Sequence, residues 1–577
     1  MTAPIKAADY VADFLHRQGV THVYEVIGGM ITHLVDALHR RGQVEIVSVH
    51  HEQAASFAVD GHARISGTPQ VAMATSGPGA TNLLTGIGSC YFDSVPAVFI
   101  TGQVNRHEMK RDKPVRQLGF QETDVVSMAR PITKAAILVE DPEELPAILE
   151  QAFRLACEGR PGPVLVDIPM DVQNTPIHAP VPEKLSLPAP VEPDAALVRE
   201  ALEALATAER PLLLVGGGVH SGRAAEAVRE LIGLLQVPVV GSLMAVDILP
   251  HADPLRAGFL GSYGNRWANH AIGRADCLLV LGSRLDVRQT GADTEGFREG
   301  REIYQVDVCA GEMNNRVKGC HAIEADLNDF CRAAIAQAGD RPWPARSAWL
   351  EEIARLRGEY PDTAEANSGE DINPNVFMAE LSAVSGAARA FVADVGQHQM
   401  WAAQSLRLTA GQRFLTSGGM GAMGYALPAA IGASFAAGRS PVVMIAGDGG
   451  FQLNLQELQT VARTRLPLKL VILNNRCHGM VRQFQQSYFH ERYRSTLEGY
   501  SAPDFTALAQ AYGIASMTVN APGETAAGLA ALWADPREPF LLQVMLGTLT
   551  NVYPKIAYGH PLTKMEPFVQ PIEMEGT

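Results

Sequence analysis

The sequence predicts an α/β protein made of three doubly wound parallel-sheet domains, and three observations predict it. At 577 residues the chain exceeds the roughly 250–300 residues at which a single core stops growing. Two stretches interrupt its periodic pattern. Residues 171–193, DVQNTPIHAPVPEKLSLPAPVEP, carry six prolines and read as a stiff connector. Residues 341–374 contain PWP and PDTAEANSGEDINP, which are polar and rich in turn formers. Each remaining part repeats a short β-branched apolar run, a Gly-rich turn and a longer segment of helical period. Examples are VAMATSGPGATNLLTGIG (71–88), RPLLLVGGGVHSGRAAEAVRELIGLL (210–235) and SPVVMIAGDGGFQLNLQELQTVA (440–462). Strand alternating with helix is the signature of parallel sheets with helices on both faces. The expected domains are 1–180, 190–345 and 370–555, with 556–577 as a C-terminal tail.

Composition narrows the function. Apolar residues make up 47% and charged residues 19%, and the net charge is −15. No Lys/Arg block supplies the footprint of a nucleic-acid or anionic-membrane binder. The seven cysteines are scattered and never spaced CxxC, which argues against a disulfide framework or zinc knuckle. The N-terminal MTAPIKAADYVADFLHRQGV runs into an amphipathic helix pattern (Ala8, Val11, Leu15) without an apolar signal core. No run of 18 or more apolar residues reads as a spanning helix. A cytoplasmic enzyme acting on small molecules is the expectation.

The Gly-rich turns differ in information. GGG at 216–218 with Gly222 departs from GxGxxG and reads equally as a tight turn; SGPG at 76–79 is similarly ambiguous. AGDGGFQLN says more. Asp448 ends one strand, and Asn475 in ILNNRCHGMVRQFQ ends the next, 27 residues later. Parallel neighbours bring those ends together, offering one carboxylate and one amide oxygen to a hard cation such as Mg²⁺ that shares them with a diphosphate. Gly447, Gly449 and Gly450 let backbone N–H groups approach phosphate oxygens. Asp448 alone reads equally as a helix cap; the spacing from GDG to NN favours the cation.

From GDG to NN the sequence resembles the thiamine-diphosphate enzymes, and across nearly the whole chain it resembles their acetohydroxyacid (acetolactate) synthase branch. The blocks are HEQAASFAVDGHARISG (51–67), TSGPGATNLLTGIGSCYFDSVPAVFITGQV (75–104), GFQETDVV (119–126), GRPGPVLVDIP (159–169), DVGQHQMWAAQ (394–404), TSGGMGAMGYALPAAIG (416–432) and GMVRQFQ (479–485). The resemblance implies a pyrimidine-binding first domain, a central FAD-type domain and a third domain for thiamine diphosphate and Mg²⁺. It implies decarboxylation of pyruvate and transfer of the two-carbon unit to a second 2-oxo acid, in a homodimer or homotetramer whose site lies between subunits, with a regulatory subunit in some members. Glu52 matches the glutamate that acts on the aminopyrimidine; standing alone it is a helix-start acid. Met423 matches the bulky residue that bends the cofactor, and Gly421 the carbonyl that meets its amino group. Gln397, His398, Gly447, Gly449, Gly450 and Met480 fall at cofactor positions. Asp448, Asn475 and the main-chain carbonyl of Cys477 fall at metal positions. Gln121 and Phe120 face the reacting groups, as do Gly28, Gly29 and Phe484, and Arg288 meets the acceptor's carboxylate. Arg160, Gly216, Gly217, Gly218, Arg284, Asp307 and Asp326 stand at flavin positions, which implies FAD without a net redox role.

Four departures fall on the substrate or flavin side. VYEVIGGM (23–30) has Glu25 and Ile27 where Gly and Pro are usual; Tyr263 replaces a His; Val287 replaces an Asp; and Phe484 replaces a Trp. The thiamine positions are intact. The alternatives are the same donor half-reaction with another ketone or aldehyde, such as a keto-sugar nucleotide, a flavin-redox pyruvate oxidase, or a non-catalytic homologue. His50 and His51 resemble a decarboxylase pair, but on a different loop, and His478 has no family counterpart.

Overall fold

In the computed structural model, which describes residues 4–186, 191–339, 342–365 and 369–572, the strand-turn-helix alternation resolves into three six-stranded parallel sheets. The first runs Glu45–Ser48, His22–Val26, Gln70–Ala74, Ala97–Gln103, Pro163–Pro169, Ala135–Leu138. The third, Arg413–Leu415, Ala390–Ala393, Val442–Gly447, Leu468–Asn474, Phe540–Met545, Ala515–Val519, repeats that order. The central sheet runs Arg256–Phe259, Val239–Gly241, Pro211–Val215, Cys277–Leu281, Glu302–Asp307, His321–Glu324, the 3-2-1-4-5-6 order of dinucleotide-binding sheets. The inner strands Gln70–Ala74, Ala97–Gln103 and Leu468–Asn474 are buried along their whole length, as helices on both faces require. Ligands in such sheets sit at the carboxyl ends where the order reverses. In the third sheet that point lies between Ala390–Ala393 and Val442–Gly447.

The chain forms two compact units, residues 1–189 with 417–440 and 454–468, and residues 190–416 with 441–453 and 469–577. In the first, the helix Glu52–Ser66 lies against the helix Ala426–Ala436. A Cβ on Gly61 would fall 2.1 Å from the Ala429 carbonyl oxygen, and one on Gly432 1.9 Å from that of Ala58; only glycine allows this approach. Beside it Arg64 binds Asp60 at 2.6 Å and Asp93 at 2.9 Å, and the Tyr425 hydroxyl donates to Asp60 at 2.6 Å. Asp93 also accepts from the backbone N–H of Gly418 at 2.9 Å and Gly419 at 2.7 Å. Buried charges are tolerable when paired and hydrogen-bonded; here the pairing anchors the start of GGMGAMG.

Three stretches read as linkers or tail contain structure. Within 171–193 the strand Pro176–Ile177 pairs antiparallel with Ile5–Lys6. Within 341–374 the helix Ser347–Glu359 buries Trp349, Ile353 and Leu356, a stripe at helical spacing. In the expected tail Lys555–Ile556 and Met565–Glu566 form a hairpin, and Ile556 N–H donates to the Ser262 carbonyl at 2.9 Å. Among the described residues no helix is long and apolar enough to cross a membrane.

Candidate active site

Asp448 and Asn475 follow adjacent strands of the third sheet, Val442–Gly447 and Leu468–Asn474, and both are buried. A chain of hydrogen bonds fixes the Asn475 amide. The backbone of Val552 donates to Gln483 Oε1 and accepts from its Nε2, each at 2.9 Å. Gln483 Oε1 accepts from Gln397 Nε2 at 3.2 Å, and the Thr550 carbonyl accepts from the same nitrogen at 3.1 Å. Gln397 Oε1 therefore faces Asn475 and accepts from its Nδ2 at 2.9 Å. That leaves Asn475 Oδ1 3.3 Å from Asp448 Oδ1 and 3.0 Å from the Cys477 carbonyl. Turning the amide over would relieve this crowding of oxygens, but would set its oxygen against Gln397 Oε1. Three oxygens held face to face form a donor set for a hard cation. Burial pushes the Asp448 carboxyl up to about 6, against hydrogen bonds from Tyr500 and from backbone N–H groups including those of Gly449 and Cys477. A cation would supply the missing positive charge. Among the described residues there is no group of three His, Cys, Asp or Glu placed to hold a metal ion.

The Cys477 thiol is turned away, toward the Thr548 carbonyl at 3.5 Å, and burial pushes it up to about 11. Gly479 lies hard against the hydrogen-bond relay, since a Cβ there would fall 1.9 Å from Gln397 Oε1. The other glycines also have neighbours. A Cβ on Gly447 would meet His398 Nδ1 at 2.9 Å, one on Gly449 the His478 ring at 2.7 Å, and one on Gly450 Asp394 Oδ1 at 3.0 Å. His398 is buried, its pKa is lowered to about 3 by burial, and its Nε2 has no hydrogen-bond partner among the described residues. An orphaned nitrogen beside the bare Gly447 backbone is a place for a polar ligand group. The helix expected after GDG is a single turn, Asp448–Phe451. Met480 is half-buried against the third-sheet core.

In the first unit Glu52 opens the helix Glu52–Ser66, and its Oε2 accepts from Asn82 Nδ2 at 2.9 Å. Gly79 leaves room for the carboxyl, since a Cβ there would lie 3.3 Å from Glu52 Oε1. His51 caps the helix by accepting from Gln53 N–H at 3.1 Å, while His50 N–H donates to the buried Glu457 at 2.9 Å; both histidines are accounted for by local structure. Gly28 packs on Thr75, whose Cβ lies 2.4 Å from where its own would be, and Gly29 faces open space. Gln121 has φ +65° against Gly77, a backbone state that non-glycine residues adopt seldom and mostly for a reason. Phe120 beside it is 79% exposed. Gly421 is open, Met423 is half-buried, and Asn454 Nδ2 donates to the Gly424 carbonyl at 2.8 Å.

The flavin positions of the second unit lie at carboxyl ends of the central sheet, on both sides of its switch point. Gly216 and Gly218 donate to the Leu281 and Gly282 carbonyls at 2.9 Å each, and a Cβ on Gly216 would fall 2.2 Å from the Gly282 oxygen. Gly217 faces Met244. Asp307 accepts from Cys309 N–H at 2.9 Å, and Asp326 caps the helix Leu327–Ala338. Arg284 lies 3.5 Å from Asp286. The Arg288 side chain is exposed and makes no hydrogen bond to a described residue. Arg160, in the first unit, donates to Ser94 Oγ at 2.8 Å. Phe484 is 41% exposed and touches Tyr488, ring centroids 4.7 Å apart. Sequence reasoning missed Asn82, Gln483 and Tyr500. The first two lie inside the blocks TSGPGATNLL and GMVRQFQ, while Tyr500 lies in a segment without a periodic signal.

This fold and this oxygen set define a thiamine-diphosphate enzyme. Residues 5–128 match the thiamine pyrophosphate enzyme N-terminal TPP binding domain, 198–334 the central domain and 394–544 the C-terminal TPP binding domain. The chain is 38% identical to the acetolactate synthase isozyme 2 large subunit of Escherichia coli K12 over 566 residues, 97% of this chain and 99% of that one. It is 38% identical to the acetolactate synthase large subunit of Parasynechococcus marenigrum over 570 residues, 97% of this chain and 91% of that one. Against the probable chloroplastic acetolactate synthase 2 of rice it is 37% identical over 570 residues, 96% and 84% of the two chains. The chain belongs to the thiamine-diphosphate-dependent acetolactate synthase family.

Proposed function

We infer that the protein decarboxylates pyruvate and joins the retained two-carbon unit to a second 2-oxo acid, giving 2-acetolactate when that acid is pyruvate. The observation that carries the reading is the convergence of Asp448, Asn475 and the Cys477 carbonyl beside Gly447, Gly449 and Gly450. Thiamine diphosphate, when bound, supplies a thiazolium carbon that attacks a carbonyl and accepts the electron pair left when CO₂ departs. Asp448 Oδ1, Asn475 Oδ1 and the Cys477 carbonyl would hold Mg²⁺. Gly447, Gly449, Gly450 and His398 line the diphosphate, and Gln397 orients Asn475. Glu52, held by Asn82, would hold a proton at the pyrimidine ring nitrogen, Gly421 and Met423 would orient the cofactor, and Met480 would be a further cofactor contact. Gln121, Phe120, Gly28, Gly29 and Phe484 line the reacting end. Arg288 offers two parallel N–H donors to the carboxylate of the acceptor.

FAD fits the central sheet's strand order and the cluster of Gly216, Gly217, Gly218, Arg284, Asp307 and Asp326 at its carboxyl ends; its role there is structural. A homodimer is supported by the apolar side chains exposed on carboxyl-end loops, Ile27 at 57%, Phe120 at 79%, Leu453 at 52% and Leu549 at 58%, since a second copy would cover them. The relatives' designation as large subunits supports a separate regulatory subunit. Feeding pyruvate alone tests the function. Sustained acetolactate formation is expected; turnover only after another ketone or aldehyde is added would overturn the choice of acceptor. A colourless preparation that releases no flavin on denaturation would overturn the FAD assignment.

A further inference from the structure

Only Oδ1 of Asp448 faces the oxygen cluster, and the other oxygen is taken by a residue outside it. The Tyr500 hydroxyl donates to Asp448 Oδ2 at 2.8 Å. Gln452 Nε2 donates to the phenol oxygen at 3.4 Å and to the Asp448 carbonyl at 3.1 Å, so the phenol's own proton is committed to the carboxylate. The His478 ring meets the Tyr500 ring edge-on, centroids 4.4 Å apart at 61°. Both lie against the bare backbone of Gly449. A Cβ on Gly449 would fall 2.7 Å from the His478 ring and 3.5 Å from the Tyr500 hydroxyl. The segment bearing Tyr500 is tied down, for His478 N–H donates to the Thr496 carbonyl and Tyr500 N–H to the Leu497 carbonyl, each at 3.2 Å.

We propose that Tyr500 is a positioning residue for the cation site, holding Asp448 so that it presents one oxygen, and that His478 braces the Tyr500 ring. The inference rests on the reading of Asp448 as a Mg²⁺ ligand. A carboxylate free to turn can chelate through both oxygens or swing away. A hydroxyl donor on Oδ2 removes both choices and leaves Oδ1 aimed at Asn475 Oδ1 and the Cys477 carbonyl. A small cation that demands near-octahedral geometry gains from this preset monodentate ligand.

The test uses Mn²⁺ as probe, added to cofactor-stripped full-length protein with thiamine diphosphate at fixed concentration, with free Mn²⁺ read by electron paramagnetic resonance. Tyr500→Phe is expected to weaken Mn²⁺ binding about tenfold while leaving the cofactor-free melting temperature unchanged. His478→Leu should weaken it in the same direction by a smaller factor. Asp448→Asn separates the two readings. If it abolishes binding while Tyr500→Phe binds as wild type, the positioning role is overturned and the metal ligand stands. If Asp448→Asn itself binds as wild type, the metal reading falls, and the inference with it. A lower cofactor-free melting temperature for Tyr500→Phe with unaltered Mn²⁺ affinity also overturns the proposal, since that is purely structural behaviour. If Tyr500→Phe does not fold, His478→Leu decides: weakened binding supports the brace, and wild-type binding overturns it.

Discussion

Replacing Gly479 by Ala should damage the cation site without altering any ligand. The new Cβ would lie 1.9 Å from Gln397 Oε1 and 2.6 Å from Asn475 Nδ2, so both side chains cannot stay. They are side-chain ends and can swing, at the cost of the Asn475–Gln397 bond and of Gln397's bonds to Gln483 and Thr550. A buried amide left without its partner costs about 1–3 kcal/mol. Gly479 opens the helix Gly479–Tyr488, where Ala returns up to about 1 kcal/mol of helix propensity, so the net folding cost is roughly 0–3 kcal/mol. The effect on the cation is larger. Released from Gln397, the Asn475 amide can turn its nitrogen toward Asp448 and the Cys477 carbonyl, exchanging a ligand for a donor. Loss of such orientation weakens metal binding about 10–100-fold, or about 1.4–2.8 kcal/mol. Titrating Mg²⁺ into cofactor-stripped protein with thiamine diphosphate, and following the rise in melting temperature, reads this separately from folding. A Gly479→Ala protein that needs no more Mg²⁺ than wild type would refute the relay.

Glu52→Gln keeps a carbonyl oxygen for Asn82 but not the acid, so acetolactate formation should fall at least about 100-fold with calorimetric binding of thiamine diphosphate retained; near-normal rates would remove Glu52 from the chemistry. Cys477→Ser should keep Mg²⁺ affinity and initial rate within about threefold, because only the carbonyl of Cys477 faces the cluster; loss of metal binding would make the thiol the ligand. Asp167 accepts from Thr101 at 2.7 Å and Gln103 at 2.9 Å, and burial pushes its carboxyl up to about 7. Its folded pKa is raised, so its contribution is fully present below the unfolded value and is lost as pH rises through about 7. Asp167→Asn should narrow the difference in melting temperature between pH 5 and pH 8, and an unchanged difference would refute the assignment.

What was legible in the sequence follows from what is local. Asp448 and Asn475 could be paired because each ends an apolar run and consecutive runs of this type become sheet neighbours. The direction of the Asn475 amide could not, because it is set by Val552, which lies 69 residues beyond Gln483 and acts through two glutamines. Tyr500 was hidden for the same reason. The helix Ser347–Glu359 was hidden differently: Trp349, Ile353 and Leu356 form a readable stripe, but the prolines and turn formers on either side of it gave the stretch the look of a linker. The glycines were read as openings for phosphate, and several are also occupied positions. Gly216 and Gly218 lie against the Gly282 turn, and Gly449 lies under His478, so the same residue type serves backbone packing and ligand approach at once.

The departures from the family pattern have a physical location. The cation half of the site is locked inside one unit, with Asp448 at 1% exposure, Gln397 at 3% and Asn475 at 5%, and its orientations are dictated by hydrogen bonds that a substitution would break. The positions that depart are of another kind. Ile27, Val287 and Phe484 are 57%, 51% and 41% exposed, and replacing them leaves no buried polar group without a partner. Tyr263 is half-buried against the third-sheet core, and Glu25 lies at the other extreme. It is buried, accepts from the Ser48 hydroxyl, and keeps Oε2 without a partner among the described residues; burial raises its pKa. Under the proposed function, exposed apolar positions of this kind can change with little cost in stability, whereas the hydrogen-bonded positions around Asp448 and Asn475 cannot. If Phe484 faces the acceptor as proposed, the choice of acceptor would rest on a side chain whose replacement disturbs no buried hydrogen bond.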